Sequence, residues 1–238
     1  MDIDVNHVLI DKSGQDLKAL ILRANTPKRT VLFAAGRGGN PDRHLPLLRH
    51  LAEIGNLVVA PQLPMLKTPF PSESELQGRL RCLALAADQF AEPALPIIGV
   101  GHSIGATSLL GLAGGELWLS ETHRVENEAR VHFEHLLLFA PASDFFQAPG
   151  AVEAVEVPIR IWVGESDSIT TPTSVGKLAS VLRKKVSVRL DVLPGAGHFT
   201  FMHQLPPNIE DTVSNRRSFL QSFTEEVGRN VARIEFLD

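Results

Sequence analysis

The chain has 238 residues, 44% of them hydrophobic and 21% charged, with a formal net charge of −4. That is the make-up of a globular protein able to bury a large core; the scattered basic residues exclude a nucleic-acid surface, and no apolar run approaches the ~20 residues of a membrane span. The single cysteine, Cys82, excludes an internal disulfide framework, and Met1-Asp2-Ile3-Asp4 is acidic where a secretory leader opens basic. The expectation is a soluble cytoplasmic protein of one domain, residues 1–238, with Cys82 as a small buried hydrophobe among Leu80, Leu83 and Leu85.

Two strands open the chain, Val5–Ile10 and Leu17–Ala24, joined by the turn-forming cluster Asp11-Lys12-Ser13-Gly14. Val31–Ala35 is the next strand, Asp42–Ile54 a helix stopped by Gly55, and Leu57–Ala60 a further strand. Glu73–Phe90 reads as a helix opened by Ser72, with Glu75 three residues later in the pattern of a capping box. Leu95–Val100 is an apolar strand, and Ala106–Ala113 is a helix of small and apolar residues. The polar stretch Glu116–Glu134 is read as helical. Strands at Leu136–Ala140, Ile159–Val163 and Val186–Leu193 follow, with helices at about Ser174–Lys184 and Asp211–Arg229. Continuous apolar strands alternating with helices predict an α/β fold, a mostly parallel sheet covered on both faces.

In such sheets, sites form beyond the carboxyl ends of the strands. There the chain carries Gly36-Arg37-Gly38-Gly39, Gly101-His102-Ser103-Ile104-Gly105, Asp144, Gly164-Glu165-Ser166-Asp167 and Gly195-Ala196-Gly197-His198. A G-x-S-x-G run is weak alone but strong between a buried strand and a small-residue helix, where the tight turn pushes a hydroxyl out of the sheet. A serine hydroxyl is a poor nucleophile without a base in reach and an acid to orient that base. Ser103 is the expected nucleophile, and His198 and Asp167, at later strand ends, are the candidates for its base and acid, in the order serine, aspartate, histidine. Ile104 N–H supplies one oxyanion donor and Arg37 N–H, or else Gly38 N–H, the second.

With these motifs, in this order and at these strand ends, the chain resembles the α/β-hydrolase fold family over nearly its whole length. It is most similar to small, cap-less, dienelactone-hydrolase-like esterases, since Pro141–Pro158 is too short for the helical cap that many relatives insert there. A dienelactone hydrolase proper would carry cysteine where this chain has Ser103, which points to ordinary ester cleavage. The oxyanion loop of the family often carries a His-Gly pair, and here Ala35 stands in place of that histidine.

Rival residues stand beside each of these. Asp144 follows the preceding strand, where some hydrolases place their acid, and Glu165 lies two residues before Asp167. His102 and His203 are the alternatives to His198. The other histidines show no paired ligand spacing, so neither a metal nor another cofactor is expected. Arg37 either recognises a substrate carboxylate or phosphate or is a solvated loop residue. Met65, Leu66, Phe70, Phe145, Phe146, Phe199 and Phe201 fall on loops at the same side of the sheet and are candidates to line an acyl or alcohol pocket. The leading expectation is a serine hydrolase cleaving small-molecule carboxylic esters or thioesters through an acyl-enzyme. A non-catalytic ligand-binding member of the same fold, or an acyltransferase, is the alternative.

Overall fold

A computed structural model describes residues 2–10 and 16–234, so the turn expected at Asp11–Gly14 lies outside the described residues. In chain order the elements are β1 (Asp2–Ile10), β2 (Asp16–Arg23), β3 (Arg29–Ala34), α1 (Leu45–Glu53), β4 (Asn56–Pro61) and α2 (Glu73–Phe90). Then come β5 (Ile97–His102), α3 (Ile104–Leu112), β6 (Trp118–Ser120), β7 (His123–Arg124) and β8 (His135–Phe139). The chain continues with β9 (Ile159–Gly164), α4 (Pro172–Leu182), β10 (Val188–Leu193) and α5 (Arg216–Arg233). Eight strands form one sheet in the order β1-β2-β4-β3-β5-β8-β9-β10. Pairing is antiparallel at β1–β2 and β2–β4 and parallel from β4 through β10, as the apolar strand runs imply.

The two-residue period of a strand explains how short runs serve two cores at once. Leu32 and Ala34 of β3 face a cluster with α2, α3 and α4, while Val31 and Phe33 face another with α1 and α5. Leu136 and Leu138 against Leu137 and Phe139 repeat the pattern in β8. On the α5 side Phe139, Trp162, Phe201 and Phe223 pack edge to face or stacked, with ring centroids 4.9–6.1 Å apart. Each such buried ring contributes about 1.5–3 kcal/mol by its burial.

α2 opens as its sequence implies: Ser72 Oγ accepts from Glu75 N–H and the Glu75 carboxylate accepts from Ser72 N–H. Three segments differ from expectation. The helix expected over Asp42–Ile54 is a 3-10 turn, Pro41–His44, followed by α1, because Pro46 has no N–H to donate back to Asp42. The closing helix starts at Arg216 rather than Asp211; Asn215 caps it by accepting from Ser218 N–H, and Asp211 serves the loop before it.

Glu116–Glu134 is not a helix. It forms the β6–β7 hairpin and then an extended segment. Its buried apolar residues are Leu117, Val125 and Phe133, eight apart, a spacing that builds no helical stripe. Main-chain bonds from Val125 to Leu117, Val131 to Leu112 and Glu134 to Ile97 lay the segment against its neighbours instead. The connection from β8 to β9 carries a 3-10 turn, Ser143–Phe146, and no α-helix, so no helical cap is inserted there. Among the described residues no helix is long and apolar enough to cross a membrane.

Candidate active site

Ser103 sits between β5 and α3 at φ 56°, ψ −131°, a conformation few side-chain-bearing residues adopt. Close packing holds it there. A Cβ on Gly105 would lie 2.2 Å from the Ala34 carbonyl oxygen, and one on Gly101 would lie 2.8 Å from Leu109 Cδ1 and 2.9 Å from Ala106 N. Ser103 N–H donates to the Phe139 carbonyl at 2.8 Å, tying the turn to the neighbouring strand. The strain is thus enforced by backbone approaches that only glycine permits.

The β9 and β10 ends bring two more groups to the serine. Ser103 Oγ lies 2.9 Å from His198 Nε2, and His198 Nδ1 lies 2.9 Å from Asp167 Oδ2. The His198 side chain is 6% exposed and that of Asp167 is fully buried. An ionised carboxylate only accepts, so Nδ1 carries the imidazole proton and Nε2 offers its lone pair to the serine hydroxyl. Asp167 is saturated: Oδ1 accepts from Ile169 N–H and Thr170 N–H at 2.9 and 2.8 Å, and Oδ2 accepts from Thr170 Oγ1 at 2.8 Å. Burial pushes the Asp167 carboxyl up, but the bonds from His198 and Thr170 outweigh it and hold the group below the usual carboxylate range.

Two residues that the sequence did not single out hold His198. Thr170 Oγ1 lies 3.2 Å from His198 Nδ1 and 3.2 Å from the Ala140 carbonyl, at the meeting point of Asp167, His198 and the β8 end. Thr200 Oγ1 accepts from Gly197 N–H at 2.9 Å and donates to Asp211 Oδ1, which fixes the loop on either side of His198. The tight loop around an isolated histidine was the one local signal for such supports. His102, considered as an alternative base, is 2% exposed, and its Nε2–H donates to the His198 carbonyl at 2.9 Å. Burial and the adjacent His198 hold its pKa well below the usual imidazole range, so it stays neutral.

The other rivals lie elsewhere. Asp144 is exposed on the 3-10 turn and accepts from Gln147 Nε2 at 2.9 Å. Glu165 accepts from Gly195 N–H at 3.0 Å, and His203 Nε2 faces Thr224 Oγ1 at 3.3 Å. Arg37 is exposed, and its Nε donates to the Leu66 carbonyl and its Nη2 to that of Lys67, at 3.0 and 2.7 Å, fastening the Gln62–Pro71 loop. Of the candidate oxyanion donors, the N–H groups of Ile104, Arg37 and Gly38 have no acceptor among the described residues. Their loop abuts the serine, since a Cβ on Gly36 would lie 3.3 Å from Ser103 Cβ.

The aromatic and apolar candidates divide. Phe199 packs edge-on against the His198 ring at 5.1 Å and lines a crevice of about 210 Å³ with His198, Ile169, Ile209 and Thr212. Met65 and Phe70 stand out from the Gln62–Pro71 loop, 68% and 88% exposed. Phe145 is half-buried against the core, whereas Phe146, Leu66 and Phe201 are core residues and face no open pocket. Phe146 is drawn inward because Gly115 leaves room for its ring, where a Cβ would come within 2.8 Å of Phe146 Cε1. Among the described residues no group of three or more His, Cys, Asp or Glu side chains is arranged to hold a metal ion.

No family model and no curated protein matches the sequence. Solved structures match its shape. Thermogutta terrifontis esterase 2 with propionate bound superposes at a TM-score of 0.68 and 15% identity, over 99% of this chain and 95% of that one. The same esterase phosphorylated by paraoxon gives 0.66 at 16% identity, over 99% and 96%. The Pyrococcus furiosus esterase Pf2001 gives 0.68 at 14% identity, over 98% and 92%. With this sheet order, the chain has the α/β-hydrolase fold over nearly its whole length.

Proposed function

We propose that this protein is a serine hydrolase that cleaves small carboxylic esters, thioesters included, with residues 1–238 acting as one catalytic domain. The observation that carries the reading is the continuous relay from Asp167 through His198 to Ser103, each link 2.9 Å, ending on a serine held at positive φ. His198 Nε2 takes the Ser103 proton as Oγ attacks the ester carbonyl. The negative oxygen of the tetrahedral intermediate then lies against Ile104 N–H and the Arg37 or Gly38 N–H, donors worth roughly 3 kcal/mol each in such sites. His198 passes its proton to the departing alcohol, leaving the acyl group on Ser103. A water molecule, deprotonated by His198 in turn, releases the acid and restores the hydroxyl.

The absence of a helical cap between β8 and β9 leaves the carboxyl end of the sheet without an inserted lid domain, which favours modest-sized esters. The structurally similar Thermogutta enzyme is described with propionate and with butyrate bound. Turnover of p-nitrophenyl esters of increasing acyl length tests the reading. We expect hydrolysis to be fastest on acetate, propionate or butyrate and to fall with longer chains; a protein that turns over none of them contradicts it.

A further inference from the structure

α2 carries an arginine where its core-facing stripe calls for an apolar residue. Arg79 is flanked by Leu76, Leu80 and Leu83 and is itself 0% exposed. No carboxylate lies within salt-bridge distance of it among the described residues. A buried cation without an anion is costly, and an apolar side chain would fill this place at lower cost. Burial lowers its pKa only to about 10, so it is charged at neutral pH.

Its partners are all main-chain oxygens. Nη2–H groups donate to the carbonyls of Ala35 and Gly36 at 2.5 and 2.8 Å, and Nη1–H groups donate to Pro64 at 2.7 Å and, at 3.5 Å, to Arg37. One planar fork therefore grips three successive carbonyls of the loop beside Ser103 and fastens them to the Gln62–Pro71 loop. In a trans peptide the C=O of one residue and the N–H of the next point in opposite directions. Drawing the oxygens of Ala35, Gly36 and Arg37 toward α2 turns the N–H groups of Gly36, Arg37 and Gly38 away from it. Those N–H groups have no acceptor among the described residues.

We propose that Arg79 is a positioning residue, whose guanidinium aims the main-chain donors of the 36–38 loop at the oxyanion that forms on Ser103. It rests on the reading of Ser103 as nucleophile. Arg79 touches no substrate; it acts by fixing peptide planes before the reaction, so that donors need not reorient as charge develops. A lysine in its place keeps the charge, but a single nitrogen cannot hold both loops by a planar fork.

The test uses the full chain with Arg79→Lys and Arg79→Met. It measures kcat and KM on p-nitrophenyl acetate, the Ki of an aryl trifluoromethyl ketone whose tetrahedral adduct carries an oxyanion, and the low-field proton resonance of His198 Nδ1–H. We expect kcat to fall about 10²-fold in Arg79→Met with KM unchanged, the loss typical of one oxyanion donor, and to a lesser extent in Arg79→Lys. Ki should rise by the same factor as kcat falls, and the His198 resonance should persist. If Arg79→Met does not fold, Arg79→Lys decides alone. Folded variants with unaltered kcat and Ki overturn the proposal, as does a loss of activity accompanied by loss of the His198 resonance, which would mean general loosening. A wild-type protein that neither hydrolyses the ester nor binds the ketone removes the Ser103 reading and this inference with it.

Discussion

Ser103→Ala is expected to lower ester turnover by on the order of 10⁶-fold in kcat, as when the nucleophile of a triad that works as a unit is removed. The fold should be indifferent. The Ser103 hydroxyl makes its reactive bond to His198, and the turn is fixed instead by Ser103 N–H on Phe139 and by the close approaches at Gly101 and Gly105. Circular dichroism and melting temperature of the variant should match the wild type. Steady-state kinetics on p-nitrophenyl acetate at matched protein concentration is the check, and retention of more than a trace of turnover would count against Ser103.

The second large effect separates the two candidate acids. Asp167→Asn is expected to cost about 10⁴-fold in kcat, because an amide can present a donor to His198 Nδ1 and favour the wrong tautomer. Asp144→Asn should leave kcat unaltered, since that carboxylate faces solvent and its hydrogen-bond partner is Gln147. Asp167 gathers its bonds from Ile169, Thr170 and His198, so the loss in Asp167→Asn should appear in kcat more than in KM. Equal losses in the two variants would contradict the assignment.

What could be read in the sequence was whatever leaves a short-range mark. The elbow announces itself by glycines two residues either side of Ser103, and the α2 start by Ser72 and Glu75. The loops after β9 and β10 announce themselves by glycines just before Asp167 and His198. Inner parallel strands such as β3 and β8 showed as unbroken apolar runs because both of their faces are buried, whereas the edge strand β10 mixes Arg189 and Asp191 into its run. The misread segment, Glu116–Glu134, has no local rule: its buried apolar residues lie eight apart and its main chain is held by distant partners such as Leu112 and Ile97. Thr170 and the bond of His102 to the His198 carbonyl depend on contacts between loops far apart in the chain, and Thr200 on Asp211 eleven residues further on. Arg79 did leave a signal, a charge inside the Leu76-Leu80-Leu83 stripe of an amphipathic helix, but only the folded loops show what it grips.

The central claim is that His198 and Asp167 make Ser103 a nucleophile. Intact mass followed by peptide mapping after treatment with a fluorophosphonate probe tests it most directly. One phosphonyl adduct per chain is expected, on Ser103, formed by the native protein and absent after unfolding. No adduct on the native protein, or an adduct on a different serine, would contradict it.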